Sequence, residues 1–191
     1  MPSVSVVICA YTEDRWSTIM RGAASAVGGS LAPDELILVI DHNRALFERA
    51  KRHFGDVATV VENSRRRGLS GARNTGVDVA RGEIVAFLDD DAVADADWLE
   101  LLIAQYVDDS IVAVGGSARP AWPASRPAMS PTPGSALDPT AGPGEFDWVV
   151  GCTYLGQPTS ASDREHHRLV RMVTQTHRHV HDMRAAAARE T

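Results

Sequence analysis

The chain has 191 residues, 44% of them hydrophobic and 23% charged, with a formal net charge of -6. That is an ordinary composition for one globular domain with its own core. The acidic balance gives no electrostatic case for nucleic acid or an anionic membrane surface as partner, and no apolar run is long enough for a transmembrane helix. Charge is uneven: residues 1–162 hold 13 Lys and Arg against 21 Asp and Glu, whereas residues 163–191 hold 6 against 4 and add five of the seven histidines. Cys9 and Cys152 lie in apolar runs without metal-type spacing, the pattern of free thiols in a reducing compartment. The N-terminus enters an apolar run without a basic leader, so the expected location is cytoplasmic.

Ser3 to Ala10 is a short β-branched run, a first buried strand. After a polar turn, Trp16, Ile19, Met20, Ala23, Ala24 and Val27 recur at helical spacing. Thr12 or Asp14 is placed to cap that helix, and Gly28-Gly29 to stop it. Glu35 to Ile40 is a second strand, residues 44–54 a second helix and Val57 to Val61 a third strand. A loop with Arg65, Arg66 and Arg67 precedes a short helix over Ala72 to Ala80. Residues 83–92 form an apolar strand that climbs into Asp89-Asp90-Asp91. A helix over Asp95 to Val107 and a strand over Ile111 to Gly115 follow. Alternation of this kind predicts an α/β fold with a mainly parallel sheet and helices on both faces. Residues 117–146 hold seven of the ten prolines and read as a long loop. Glu145 to Cys152 reads as one more strand, and residues 162–191 as an amphipathic helix rich in His and Arg. Within it His177 and His181 share a face and could meet one metal, though a solvated helix surface accounts for them better.

Three adjacent carboxylates repel one another, and an all-oxygen cluster suits magnesium, manganese or calcium. In open α/β sheets ligands bind at the carboxyl ends of the strands. Three such ends carry polar groups here: Ala10-Tyr11-Thr12-Glu13, Asp41 and the Asp triplet. Together they suit a nucleotide. Tyr11 can stack on a base, Asp41 can accept from a base N–H, Asp89 or Asp90 from ribose hydroxyls, and Asp91 can hold a metal against a diphosphate. Arg73 and Asn74 open the third helix and are placed to face the same crevice. No G-x-G-x-x-G follows the first strand, which argues against hydride chemistry. No Gly-rich basic phosphate loop follows it either, which argues against nucleotidyl transfer.

The segments SVVICAYTEDR (5–15), ELILVIDHN (35–43), NSRRRGLSGARNTGVDVARGEIVAFLDDDA (63–92) and DADWLELL (95–102) resemble family 2 glycosyltransferases of the GT-A fold, with a weaker match at 146–156. The resemblance runs over residues 3–116 and implies that residues 1–116 form a nucleotide-sugar-binding core. It implies a nucleotide-diphosphate sugar donor, most often UDP-linked, and a divalent cation, Mn2+ or Mg2+. It places Asp91 on the metal-binding end of the family's D-x-D motif and Asp89 on its first position. Ala10, Tyr11 and Glu13 fall on the base-lining segment, and Asp41 on the base-binding acid. Cys9-Ala10 replaces the family's common Pro-Thr, and Asp41-His42-Asn43 its more usual double acid.

Such enzymes typically invert the anomeric centre, using a carboxylate base that follows the long loop. After Gly156 the candidates are Asp163, Glu165, Asp182 and Glu190, none in the family's sequence context. Residues 147–161 read as a remnant of the acceptor-side strand, and the chain as shortened relative to the family. The expected partners are a nucleotide sugar and an acceptor whose identity the residues do not specify. A non-catalytic nucleotide-sugar binder, or an oligomerisation module using the C-terminal helix, is the alternative.

Overall fold

The computed structural model describes residues 1–107, 111 and 113–116, together with the strand at Cys152–Leu155. The elements are β1 (Val4–Ala10), a 3-10 turn at Glu13–Arg15, α1 (Trp16–Val27), β2 (Glu35–Ile40), α2 (Arg44–Phe54), β3 (Thr59–Glu62), α3 (Leu69–Val79), β4 (Ile84–Asp89), α4 (Trp98–Ile103), β5 (Ala113–Gly115) and β6 (Cys152–Leu155). The strands form one sheet of order β3-β2-β1-β4-β6-β5. β1 pairs parallel with β2 and with β4, and β2 parallel with β3. β6 runs antiparallel to β4 and to β5.

The chain winds outward from β1 through β2 to β3 and then returns to place β4 on the other flank of β1. The order therefore reverses between β1 and β4, which makes that edge a topological switch point, where ligand crevices open in such sheets. β1 is the hinge of the arrangement because both its faces are apolar. Val4, Val6, Ile8 and Ala10 join one core with Ile19, Leu46, Phe54 and Leu99, from α1, α2 and α4. Val7 joins the other core with Ala72, Val77, Val85 and Phe87, under α3. Burial of a Val, Leu or Ile side chain contributes about 1.5–3 kcal/mol, so a strand apolar on both faces is held at the centre. Gly76 lets α3 approach β1, since a Cβ there would lie 2.5 Å from Val7 Cγ1.

The cap expected for α1 from Thr12 or Asp14 is not formed: Arg15 takes the N-cap position without a side-chain hydrogen bond, because the chain first makes a 3-10 turn that Thr12 opens by accepting from the Asp14 amide. Gly28 follows the last residue of α1 as expected, and Asn43 caps α2 through the Leu46 amide at 3.0 Å. Three boundaries differ from expectation. α3 begins at Leu69 rather than Ala72, because Gly68, at φ 121°, lets the chain turn into the helix earlier. β3 starts two residues late, in register with Ile37 of β2. α4 is six residues long. It ends in i→i+3 bonds from Gln105 to Leu102 and from Tyr106 to Ile103, the tightening that closes a helix. Of the strand expected over Glu145 to Cys152 only Cys152 falls within the described residues, where it opens β6, paired antiparallel with β4. The expected Pro-rich loop, C-terminal helix and histidine pair lie outside the described residues, as do Asp163, Glu165, Asp182 and Glu190. Among the described residues no helix is long and apolar enough to cross a membrane.

Candidate functional site

The parallel register aligns the strand ends. Cys9 stands opposite Asp89 of β4 and Val39 of β2, and the Asp41 amide donates to the Ala10 carbonyl at 2.8 Å. A cavity of about 450 Å³ opens at this edge, lined by Cys9, Ala10, Tyr11, Arg15, Asp41, Gly68, Leu69, Ala72 and Asp89 to Asp91. Ligand pockets commonly run from roughly 300 to 1,000 Å³, so the volume suits a small-molecule ligand. Tyr11 stands at it as an exposed residue, with the Arg15 guanidinium 5.6 Å from its ring. Burial pushes the Cys9 thiol up to about 12, so it enters the pocket as a neutral, weakly polar wall.

Two arginines offset the repulsion within the triplet. Arg73, mostly buried and set over the Phe87 ring, donates to Asp89 Oδ1 at 2.9 Å. Arg15 Nη1 lies 2.6 Å from Asp90 Oδ1 and 3.2 Å from Asp91 Oδ2. The three carboxylates differ sharply in environment. Asp90 is 5% exposed. Burial raises its carboxyl above the ordinary range despite the hydrogen bond and charge of Arg15, with Asp91 and Asp89 adding to the rise. Its second oxygen, Oδ2, is buried without a hydrogen-bond partner. Asp91 is more than half exposed and open to the cavity.

Asp41 is buried and already engaged by its own chain. Its Oδ1 accepts from Asn63 Nδ2 at 2.6 Å and its Oδ2 from the Gly68 amide at 2.8 Å. Asn63 is the hub of that loop. It also donates to the Arg66 carbonyl, while its Oδ1 accepts from the Arg65 amide and from Thr75 Oγ1. Asp41 thus anchors the turn 63–68 that forms one wall of the pocket.

Of the residues singled out in the sequence, the structure brings Ala10, Tyr11, Asp41, Asp89, Asp90 and Asp91 together around one cavity. Arg73 reaches that group through Asp89 without lining the cavity, and Asn74 is buried away from its lining. Glu13 points elsewhere and faces Arg49 at 3.7 Å. The structure adds Arg15, Asn63, Gly68, Leu69 and Ala72. A signal for Arg15 exists in the sequence: three adjacent carboxylates demand cations, and Arg15 lies five residues past the first strand end.

A metal at this edge has to be judged from the donor set. Among the described residues no three His, Cys, Asp or Glu side chains converge as a ready-made cage. Magnesium-type ions are commonly held by one or two carboxylates with substrate phosphates completing the shell. Asp91, exposed at the cavity, and Asp89 beside it fit that kind of site.

A doubly flanked parallel sheet with its crevice at the β1/β4 switch, extended by an antiparallel strand, defines a Rossmann-like nucleotide-binding architecture of the GT-A type. The chain belongs to glycosyl transferase family 2, whose profile matches residues 5–137. Over 156 residues it is 36% identical to a glucosyl-dolichyl phosphate glucuronosyltransferase of Haloferax volcanii, covering 80% of this chain and 46% of that protein. Over 109 residues it is 38% identical to polypeptide N-acetylgalactosaminyltransferase 12 of Mus musculus, covering 54% of this chain and 19% of that one. The chain thus spans about half or less of these relatives. Among solved structures it resembles the mannosyltransferase PcManGT of Pyrobaculum calidifontis in complex with GDP-Man and Mn2+, with a TM-score of 0.50 and 29% identity over 60% of this chain and 35% of that one.

Proposed function

We propose that this chain carries the donor half of a glycosyltransferase that moves a sugar from a nucleotide-diphosphate donor, UDP-linked, to an acceptor hydroxyl with inversion. The observation that carries the reading is the single cavity on which Tyr11, Asp41 and Asp89 to Asp91 converge from three adjacent strand ends. The similarity to a mannosyltransferase in complex with GDP-Man and Mn2+ supports a nucleotide-sugar donor and a divalent cation.

Each side chain has a physical role in this reading. Tyr11 offers an exposed ring for the base. Asp41 keeps the 63–68 turn in place through the Gly68 amide and retains lone pairs for a base N–H. Asp89, fixed by Arg73, is held in one rotamer where a ribose or a cation meets it. Asp91 and Asp89 would hold a divalent cation, which supplies charge stabilisation for the departing diphosphate.

The test is thermal unfolding with UDP or GDP, with and without Mn2+, for the wild type and Asp91→Ala. Stabilisation that needs both nucleotide and metal, and is lost in Asp91→Ala, is expected. No response of the wild type to any nucleotide would overturn the donor site. Hydrolysis of a nucleotide sugar, measured in parallel, separates an enzyme from a binder.

A further inference from the structure

One nitrogen of Arg15 does what a cation would do. Nη1 touches Asp90 Oδ1 at 2.6 Å and Asp91 Oδ2 at 3.2 Å, bridging two adjacent carboxylates. Asp90 beneath it is nineteen-twentieths buried and lines the cavity, with Oδ2 unpartnered. Arg15 itself is 37% exposed and sits at the end of the 3-10 turn, its guanidinium 5.6 Å from the centre of the Tyr11 ring. Its contacts with the triplet are ionic and more than a third of its side chain is exposed, so another cation can displace it.

We propose that Arg15 is the resident counter-ion of the triplet, and that a divalent cation gains Asp91 only by displacing it. The inference rests on the donor-site reading above. Two cations cannot share Asp91 Oδ2 without repulsion, so Arg15 competes with the metal. The displaced guanidinium remains in the cavity that it lines with Tyr11. A diphosphate arriving with the metal offers it new anionic oxygens, for which a guanidinium is well suited. Arg15 thereby couples the two ligands: metal alone meets resistance, and metal with a diphosphate does not. Such coupling is reciprocal by thermodynamic necessity.

Binding of Mn2+ is read directly by electron paramagnetic resonance, with and without UDP or GDP, for the wild type, Arg15→Gln and Arg15→Lys. Arg15→Gln is expected to bind Mn2+ alone about five-fold more tightly, the scale of one partly exposed ion pair. The tightening of Mn2+ by nucleotide should shrink by a similar factor, and Arg15→Lys should fall between the two. Equal or weaker Mn2+ binding by folded Arg15→Gln would overturn the proposal and leave the donor site intact. Absence of Mn2+ binding in every variant, with or without nucleotide, would overturn both. Should Arg15→Gln lose its fold because Asp90 is left unpaired, Asp90→Asn is compared with R15Q/D90N, where the same tightening is expected and its absence is decisive.

Discussion

Asp41 gives both oxygens of one buried carboxylate to the turn that walls the cavity, one to Asn63 and one to the Gly68 amide. Replacing it with Asn puts an amide N–H against one of those donors, and a buried donor without an acceptor costs about 1–3 kcal/mol. Asp41→Asn is therefore expected to lose stability of that order in urea denaturation and to weaken nucleotide binding with it. Gly76 presents a different residue-scale constraint. A Cβ there would lie 2.5 Å from Val7 Cγ1 and 3.4 Å from Val39 Cγ2. Overpacking of a close-packed core costs about 1–3 kcal/mol, so Gly76→Ala should lower the urea midpoint without changing the slope of the transition. The sequence shows Asp41 as an acid after a strand. It does not show that the acid faces inward onto Asn63, 22 residues away, because that pairing exists only once β2 and β3 lie side by side.

At the scale of elements, the amino edge of the sheet sets the register that the carboxyl edge uses. Ser5 of β1 donates to Glu35 Oε1 of β2 at 2.6 Å and accepts from the Gly82 amide before β4 at 2.8 Å. Three neighbouring strands are thereby locked at one end, so that Tyr11, Asp41 and Asp89 emerge level at the other. Burial alone would raise the Glu35 carboxyl. The Ser5 hydroxyl, the Arg81 and Gly82 amides and the Arg81 charge outweigh it and hold the group below its ordinary 4.5. A carboxylate depressed in the folded state binds its proton first in the unfolded chain as pH falls. Its stabilisation is therefore complete above about 4.5 and lost as pH drops through the folded value. Glu35→Gln should cost about 1–3 kcal/mol at pH 7, with the difference from wild type shrinking once pH falls below 4.5. Denaturant melts at stepped pH values check the sign. Element identity was legible through α3 and β4, since period-2 and period-3.6 patterns are local. Boundaries at Leu69 and Ile103 were not, because a positive φ at Gly68 and the i→i+3 bonds that close α4 belong to the packed chain.

For the whole molecule, the donor-site reading carries a quantitative expectation. A ligand that binds only the folded chain stabilises it by about 2.7 kcal/mol at one hundred times its Kd. Saturating nucleotide with Mn2+ should raise the unfolding temperature by several degrees, on the order of what a few kcal/mol does for a domain of this size. Added salt should weaken the response, because Asp91 and Arg15 are partly exposed and their interactions are screened within about 10 Å at 0.1 M. Calorimetric scans at two ionic strengths measure both effects. A salt-independent shift would place the bound anion away from these charges.

Composition and local pattern determined that this chain builds alternating strands and helices, that its central strands β1, β2 and β4 are buried on both faces, and that three aspartates stand at the end of one of them. Those are consequences of side-chain polarity and periodicity, which act over a few residues. Tertiary structure decided the rest. It set β4 beside β1 and so made the switch point. It turned β6 antiparallel against β4. It gave Asp90 and Asp91 to Arg15, 75 residues earlier in the case of Asp90. Charge pairing depends on distance in space, and the residues that neutralise the triplet become its neighbours only when the strands close the sheet.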